Sequence, residues 1–326
     1  ILQSHGKLNS YKMVKRRMIW LPLLIIAILF TSCLFIGSVD IPFRAVVRIL
    51  MGEEAEKTSW AFIVLQTRLP QAVTALFAGA ALAVSGLLLQ TLFANPLAGP
   101  SILGIDSGAS LGVALVMLLF GGTVGNFSAG LSFSGYIAVI IAAFAGATAV
   151  LGLIIFFSTL VRSNVMLLII GIMIGYLTSS LISLLNFFST AEGVFSYTMW
   201  GMGDFSGISL TQLPLFCLLL TGGLVLAVLL IKPLNALLLG ERYAENLGIN
   251  VKRVRILLLV STGILTAVTT AFCGPIAFIG LAVPHIARLM LRSSNHKYLL
   301  PLTLLWGAGI ALLCNCLLYT SPSPRD

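Results

Sequence analysis

Runs of about twenty apolar residues, each long enough to cross a hydrocarbon core about 30 Å thick as an α-helix, recur along this chain with only short interruptions. No water-soluble fold can hide that much apolar surface. Charged residues make up 9% of the 326 and hydrophobic residues 59%, whereas a soluble domain carries about 25% charged residues. The breaks between runs are short and rich in Gly and Pro, so the chain reads as one polytopic all-α bundle rather than an anchor carrying a soluble domain.

Nine hydrophobic segments are predicted, at about 18–37, 71–93, 109–121, 135–160, 165–188, 213–231, 256–272, 276–291 and 299–318. The first exceeds a signal-peptide core in length and has no small-residue cleavage site after it, so it reads as a retained helix. Some segments are short or broken, which is tolerated at depth where neighbouring helices or a watery cavity satisfy the freed backbone groups. Threading the chain alternately from a cytoplasmic N-terminus sorts its charges. Fourteen basic residues, including Lys12, Lys15, Arg16, Arg17, Arg162, Lys232, Arg242, Lys252, Arg253, Arg255, Arg288 and Arg292, fall inside. Four, Arg44, Arg48, Lys57 and Arg68, fall outside among Asp40, Glu53, Glu54, Glu56, Glu192 and Asp204. The positive-inside rule selects this orientation. The net charge of +9 is thus a topology signal beside the spans and does not point to a nucleic-acid partner.

Catalysis finds little support. His5, His285 and His296 are scattered, no H-E-x-x-H pair or G-x-S-x-G elbow occurs, and no acidic pair lies at helical spacing in a span. Asp106 stands near a span entrance and is expected to cap the helix that starts near Ser107. His285, after Pro284, is expected to fix a helix rather than bind metal. The five cysteines, Cys33, Cys217, Cys273, Cys314 and Cys316, lie in or beside apolar runs without a C-x-x-C pair and read as packing residues. No cofactor or metal site is expected. With no G-x-x-x-x-G-K-[ST] loop, any ATP that drives the protein must bind another chain.

Three stretches carry more information. Arg68-Leu69-Pro70 precedes a small-residue run, Ala78-Gly79-Ala80-Ala81 and Ser85-Gly86, that lets helices approach closely. This run ends in the turn Asn95-Pro96-Leu97-Ala98-Gly99-Pro100, a shape suited to lining a pathway. Leu239-Gly240-Glu241-Arg242-Tyr243-Ala244-Glu245-Asn246-Leu247-Gly248 is the longest polar segment predicted to be cytoplasmic, a short helix stopped by Gly248. The third stretch is Cys273-Gly274-Pro275-Ile276-Ala277-Phe278-Ile279-Gly280, running on to Pro284-His285. In this order and spacing the three resemble the FecCD family, the permease subunits of ABC importers for iron–siderophores, haem and cobalamin, over residues 43–315.

The resemblance implies about ten helices per subunit and a second permease copy enclosing one pathway. It also implies two ATP-binding subunits on the cytoplasmic face and a substrate-binding protein outside. It assigns Leu239, Gly240, Glu241, Arg242, Ala244, Leu247 and Gly248 to ATPase coupling, and Asn95, Pro96 and Leu97 to the cytoplasmic gate. Arg68 is assigned to docking of the binding protein; Gln71 stands where the family often has a second Arg. Trp200-Gly201-Met202-Gly203 resembles a short helix before the sixth span, near the outer mouth. Residues 1–17 are expected to form a cytoplasmic segment with Met13 and Met18 as alternative starts, 18–315 the permease, and 316–326 a tail outside the family pattern that replaces the tenth helix. Ferric siderophore is the expected cargo, with cobalamin and haem as alternatives. A rival reading, an ion-coupled secondary transporter, needs intramembrane charges that are nearly absent.

Overall fold

The computed structural model describes residues 2–53, 57–119, 133–161 and 163–320. The predicted outer acids Glu54 and Glu56, the inner Arg162, the end of the third segment and tail residues 321–326 lie outside this set. The described chain forms fourteen α-helices: α1 (Leu2–Phe35), α2 (Phe43–Leu50), α3 (Thr58–Phe62), α4 (Leu69–Leu92), α5 (Ile105–Ala114), α6 (Phe133–Leu160), α7 (Asn164–Phe188), α8 (Ala191–Gly201), α9 (Leu213–Leu229), α10 (Ile231–Leu237), α11 (Glu241–Asn246), α12 (Val251–Cys273), α13 (Ile279–Leu291) and α14 (His296–Thr320).

Five helical stretches are long and apolar enough to cross a membrane, a sixth span results if the bent pair α9–α10 counts as one, and three further apolar helices are shorter. Each of these coincides with one of the nine predicted segments. The largest boundary change is at the second, which starts not near residue 71 but at Thr58. In a regular α-helix the ring of Pro70 would clash with the carbonyl four residues back. The π-helical turns Ile63–Arg68 stand directly before it and widen the helix there, so the chain passes through the proline unbroken. The eighth starts later, at Ile279, because Gly274 (φ 74°) and Phe278 (φ 68°) turn the chain first. α14 continues through Thr320, five residues past the expected permease boundary.

The bundle is built around α4. Its apolar stretch is 83% buried, against 72% in α12, 61% in α14 and only 17% in α7. A central helix touched on all sides needs small residues where backbones cross. A methyl group added at Gly79 would overlap the carbonyl of Gly307 in α14, and one at Gly86 would overlap that of Gly280 in α13. Polar side chains pin α4 to α14 and α12 as well. Gln71 Nε2 donates to Asn315 Oδ1 (2.9 Å), and Ser85 meets Thr266 of α12 at 3.3 Å.

Gly86→Val, by forcing α4 and α13 apart, is expected to lower the melting temperature of the purified protein by about 10 °C or more. Gly152→Ala, with open space around its position, is expected to leave it within about 2 °C. Tryptophan fluorescence on heating measures both.

Candidate functional site

At the end of α4 the helix must stop and turn. Ala94 takes a left-handed conformation (φ 47°), and Asn95 N–H bonds back to the carbonyl of Gln90 (3.1 Å). Asn95 Oδ1 then accepts from Leu97 N–H (2.9 Å), an Asx turn that fixes the loop without regular structure. Pro96 and Leu97 project from it, Leu97 being 65% exposed.

The segment predicted to couple to an ATPase lies at the same end. Gly240 (φ 104°) and Gly248 (φ 81°) use conformations that other residues rarely adopt and so bracket the short helix α11. Ala244 is fully buried against Ala236 and Val251 and anchors it. The outward side bears Leu239 (65% exposed) and Leu247 (58% exposed) with Tyr243, an apolar patch flanked by exposed Arg242 and Glu245.

Glu241 behaves differently from its neighbours. Its carboxylate turns inward, where Oε1 accepts from Asn164 Nδ2 (2.8 Å) and Arg255 Nη2 (3.1 Å). Asn164 Nδ2 also reaches the carbonyl of Leu92 (3.0 Å), one of the last carbonyls of α4, which the helix itself leaves unpaired. Arg255, buried in α12, donates to the carbonyl of Val161 at the end of α6 (3.3 Å). One carboxylate thus ties α11 to α12, α7 and, through Asn164, to Leu92, three residues before Asn95.

A second strut runs beside the first. His296, buried at the start of α14, lies 2.8 Å from Thr91 Oγ1 through Nε2 and 3.0 Å from Asn235 Oδ1 through Nδ1. It joins α10 to the last turn of α4. The His285 side chain, by contrast, is exposed on α13 and makes no hydrogen bond among the described residues, whereas that of His296 joins two other helices to α14. The sequence marks Arg255 only as an inward basic residue and gives Asn164 and His296 no part in the site. Their only signal was polarity at the ends of apolar runs.

Two further expectations differ from their placement. Gly104 (φ 71°), not Asp106, occupies the N-cap of α5. Asp106 is the second residue of the helix, buried, and accepts from Thr270 Oγ1 of α12 (2.8 Å). Arg68, expected to face a partner, is only 3% exposed. Its guanidinium donates to the carbonyls of Leu34, Phe35 and Val39 (3.1, 3.0 and 2.6 Å), because the end of α1 offers orphan acceptors that a fork of N–H groups can satisfy. Gln71, one turn further on, is buried against α14. On the same end, α8 contains Trp200, and Gly203 (φ 71°) packs on Pro275.

The exposed patch and the helix-breaking turn thus lie at one end of the bundle, joined through Glu241, Asn164 and Leu92. The chain is a member of the FecCD transport family, which it matches over residues 23–326. It is 38% identical over 247 residues to the vitamin B12 import system permease protein BtuC of Klebsiella pneumoniae, covering 76% of this chain and 71% of that one. It is 32% identical over 312 residues to the hemin transport system permease protein HmuU of Yersinia pestis, covering 95% and 90%. The fold is shared, at a TM-score of 0.80 and 30% identity over 95% of this chain and 93% of the other, with a solved structure describing an inward-facing conformation of a transporter assigned to the metal-chelate ABC type. This chain is accordingly the permease of an ABC importer.

Arg255→Met removes the donor that holds Glu241 and is expected to cost about 1–2 kcal/mol, the carboxylate being two-fifths exposed. Limited trypsin digestion is expected to cleave after Arg242 several-fold faster than in the parent, with the rest of the bundle still resistant.

Proposed function

We propose that this chain forms half of a dimeric pathway through which a metal chelate, in first place a ferric siderophore, enters the cytoplasm. Its relatives, permeases for vitamin B12 and hemin and a transporter of the metal-chelate type, support the class. Two ATP-binding subunits supply the energy and an extracytoplasmic binding protein delivers cargo. The protein sits in the bacterial inner membrane with its N-terminus and α11 on the cytoplasmic side. In support, α11 shares its end of the bundle with Lys232, Lys252, Arg253, Arg288 and Arg292, which favour the inner face.

The observation that carries this reading is the hydrogen-bonded path from α11 to α4. Leu239, Tyr243, Arg242 and Leu247 form the docking surface for an ATPase, while Gly240 and Gly248 let α11 pivot as a unit. Displacing α11 moves Glu241, and Asn164 transmits that movement to Leu92 and so to the gate turn Asn95-Pro96-Leu97. A chain of two hydrogen bonds from one amide, the first charge-assisted, transmits displacement because each link has a fixed geometry.

The second copy covers α7. That helix is the least buried span and exposes Tyr176, Ser179 and Ser183 at helical spacing, a polar stripe better suited to a watery pathway than to lipid. On the outer face Arg68 braces the end of α1 from beneath. Its docking role requires it to exchange these carbonyls for an acid of the binding protein, and exposed Arg44 offers a cation without that exchange.

Reconstituted with its ATPase subunits and binding protein, Asn164→Leu is expected to keep ATP hydrolysis within about twofold of the parent while ATP-driven uptake falls about tenfold. Leu239→Asp is expected to lose both, because docking itself fails. Uptake by the Asn164 variant equal to that of the parent would contradict the coupling path.

A further inference from the structure

Between α5, α7 and α8 lies a cavity of about 470 Å³ that opens on the exposed face of α7. Asp106, five serines and Tyr197 line it, with Ile182 and the Pro275–Ala277 turn completing the wall. A carboxyl buried in a membrane bundle is costly and calls for a role. Thr270 Oγ1 donates to its Oδ1 and the lining residue Ser101 also hydrogen-bonds it, and its side chain borders the cavity. The lining offers many acceptors and hydroxyls and not one cationic side chain.

The wider charge pattern points the same way by a separate route. Between Arg68 and Lys232 the sequence holds a single basic residue, Arg162, between α6 and α7, whereas Asp106, Glu192 and Asp204 are acidic. The helices on which the cavity is built therefore present no positive group to a passing anion. A helix N-terminus would ordinarily attract negative charge, but Asp106 sits in the first turn of α5 and occupies that attraction itself. In either protonation state an acid offers no positive charge.

We propose that this cavity is a contact site for the cargo on its way through the permease and that it selects by charge. It takes neutral or cationic chelates that present ammonium, amide N–H or hydroxyl donors, such as ferric trihydroxamates, and rejects polyanionic chelates and haem carboxylates. This rests on the importer reading above and narrows its substrate class. The selectivity acts after release from the binding protein, so it adds to whatever that protein chooses.

The test uses the permease–ATPase complex in lipid nanodiscs without the binding protein, so that only the permease discriminates. Equilibrium dialysis is run with two iron-labelled probes, a ferric trihydroxamate bearing a free ammonium group and a trianionic ferric tris-catecholate. The cationic probe is expected to bind about tenfold more tightly, since the lining offers its ammonium several acceptors and offers the trianion no cation. Asp106→Asn, which keeps shape and hydrogen bonding, is expected to cut that preference to about threefold or less. Should this variant not assemble, Ser183→Ala on exposed α7 replaces it, with weaker binding of the cationic probe expected. Equal retention of both probes, retention of neither, or an unchanged preference in the variant that assembles overturns the inference. ATP hydrolysis stimulated by the binding protein is measured on the same complex. Its loss would overturn the importer reading, whereas its presence with equal retention overturns only the charge selectivity.

Discussion

The close crossing of α4 with α13 and α14 at Gly79 and Gly86 is the contact on which the other elements depend. In a bilayer, helices gain little from hiding apolar surface from one another, since lipid is equally apolar. Association rests on dispersion between backbones that meet closely and on a few polar bonds across the gap. Gly79 against Gly307 and Gly86 against Gly280 supply the first, and Gln71–Asn315 and Ser85–Thr266 supply the second. With α4 clamped along its length, movement is left to its ends.

Those ends are treated differently. At one, Arg68 ties α4 to the last carbonyls of α1, closing both into a fixed corner. At the other, Thr91 and Leu92 are held through side chains of α7, α10 and α14. Each of those tethers leads to a segment that borders solvent. A bundle that is rigid in the middle and linked at one end to an exposed short helix can pass on a push without repacking its core.

The spans were legible because hydropathy is local: a run such as 165–188 declares itself without knowledge of its neighbours, and all nine segments coincide with helices. The family was legible from the three ordered motifs. What escaped the sequence is what depends on partners distant in the chain. Arg68 looks like a surface cation until the end of α1 arrives over it. Glu241 looks like one charge in a solvated loop until Asn164 and Arg255, 77 and 14 residues away, close on it. Asp106 looks like a helix cap because Gly104 and its left-handed turn carry no visible capping chemistry. Pro70 looks like a break because the π-helical turns that relieve it have no sequence signature.

The central claim is that displacement of α11 is conveyed to the gate turn through Asn164. Spin labels at Leu239 and at Leu97, with distances between the two copies measured by pulsed electron resonance in nucleotide-free and ATP-trapped states, test it most directly. The account predicts that both distances shift by several ångströms in the parent complex, and that Asn164→Leu abolishes the shift at Leu97 while preserving that at Leu239. A shift at Leu97 that survives the substitution unchanged would contradict it.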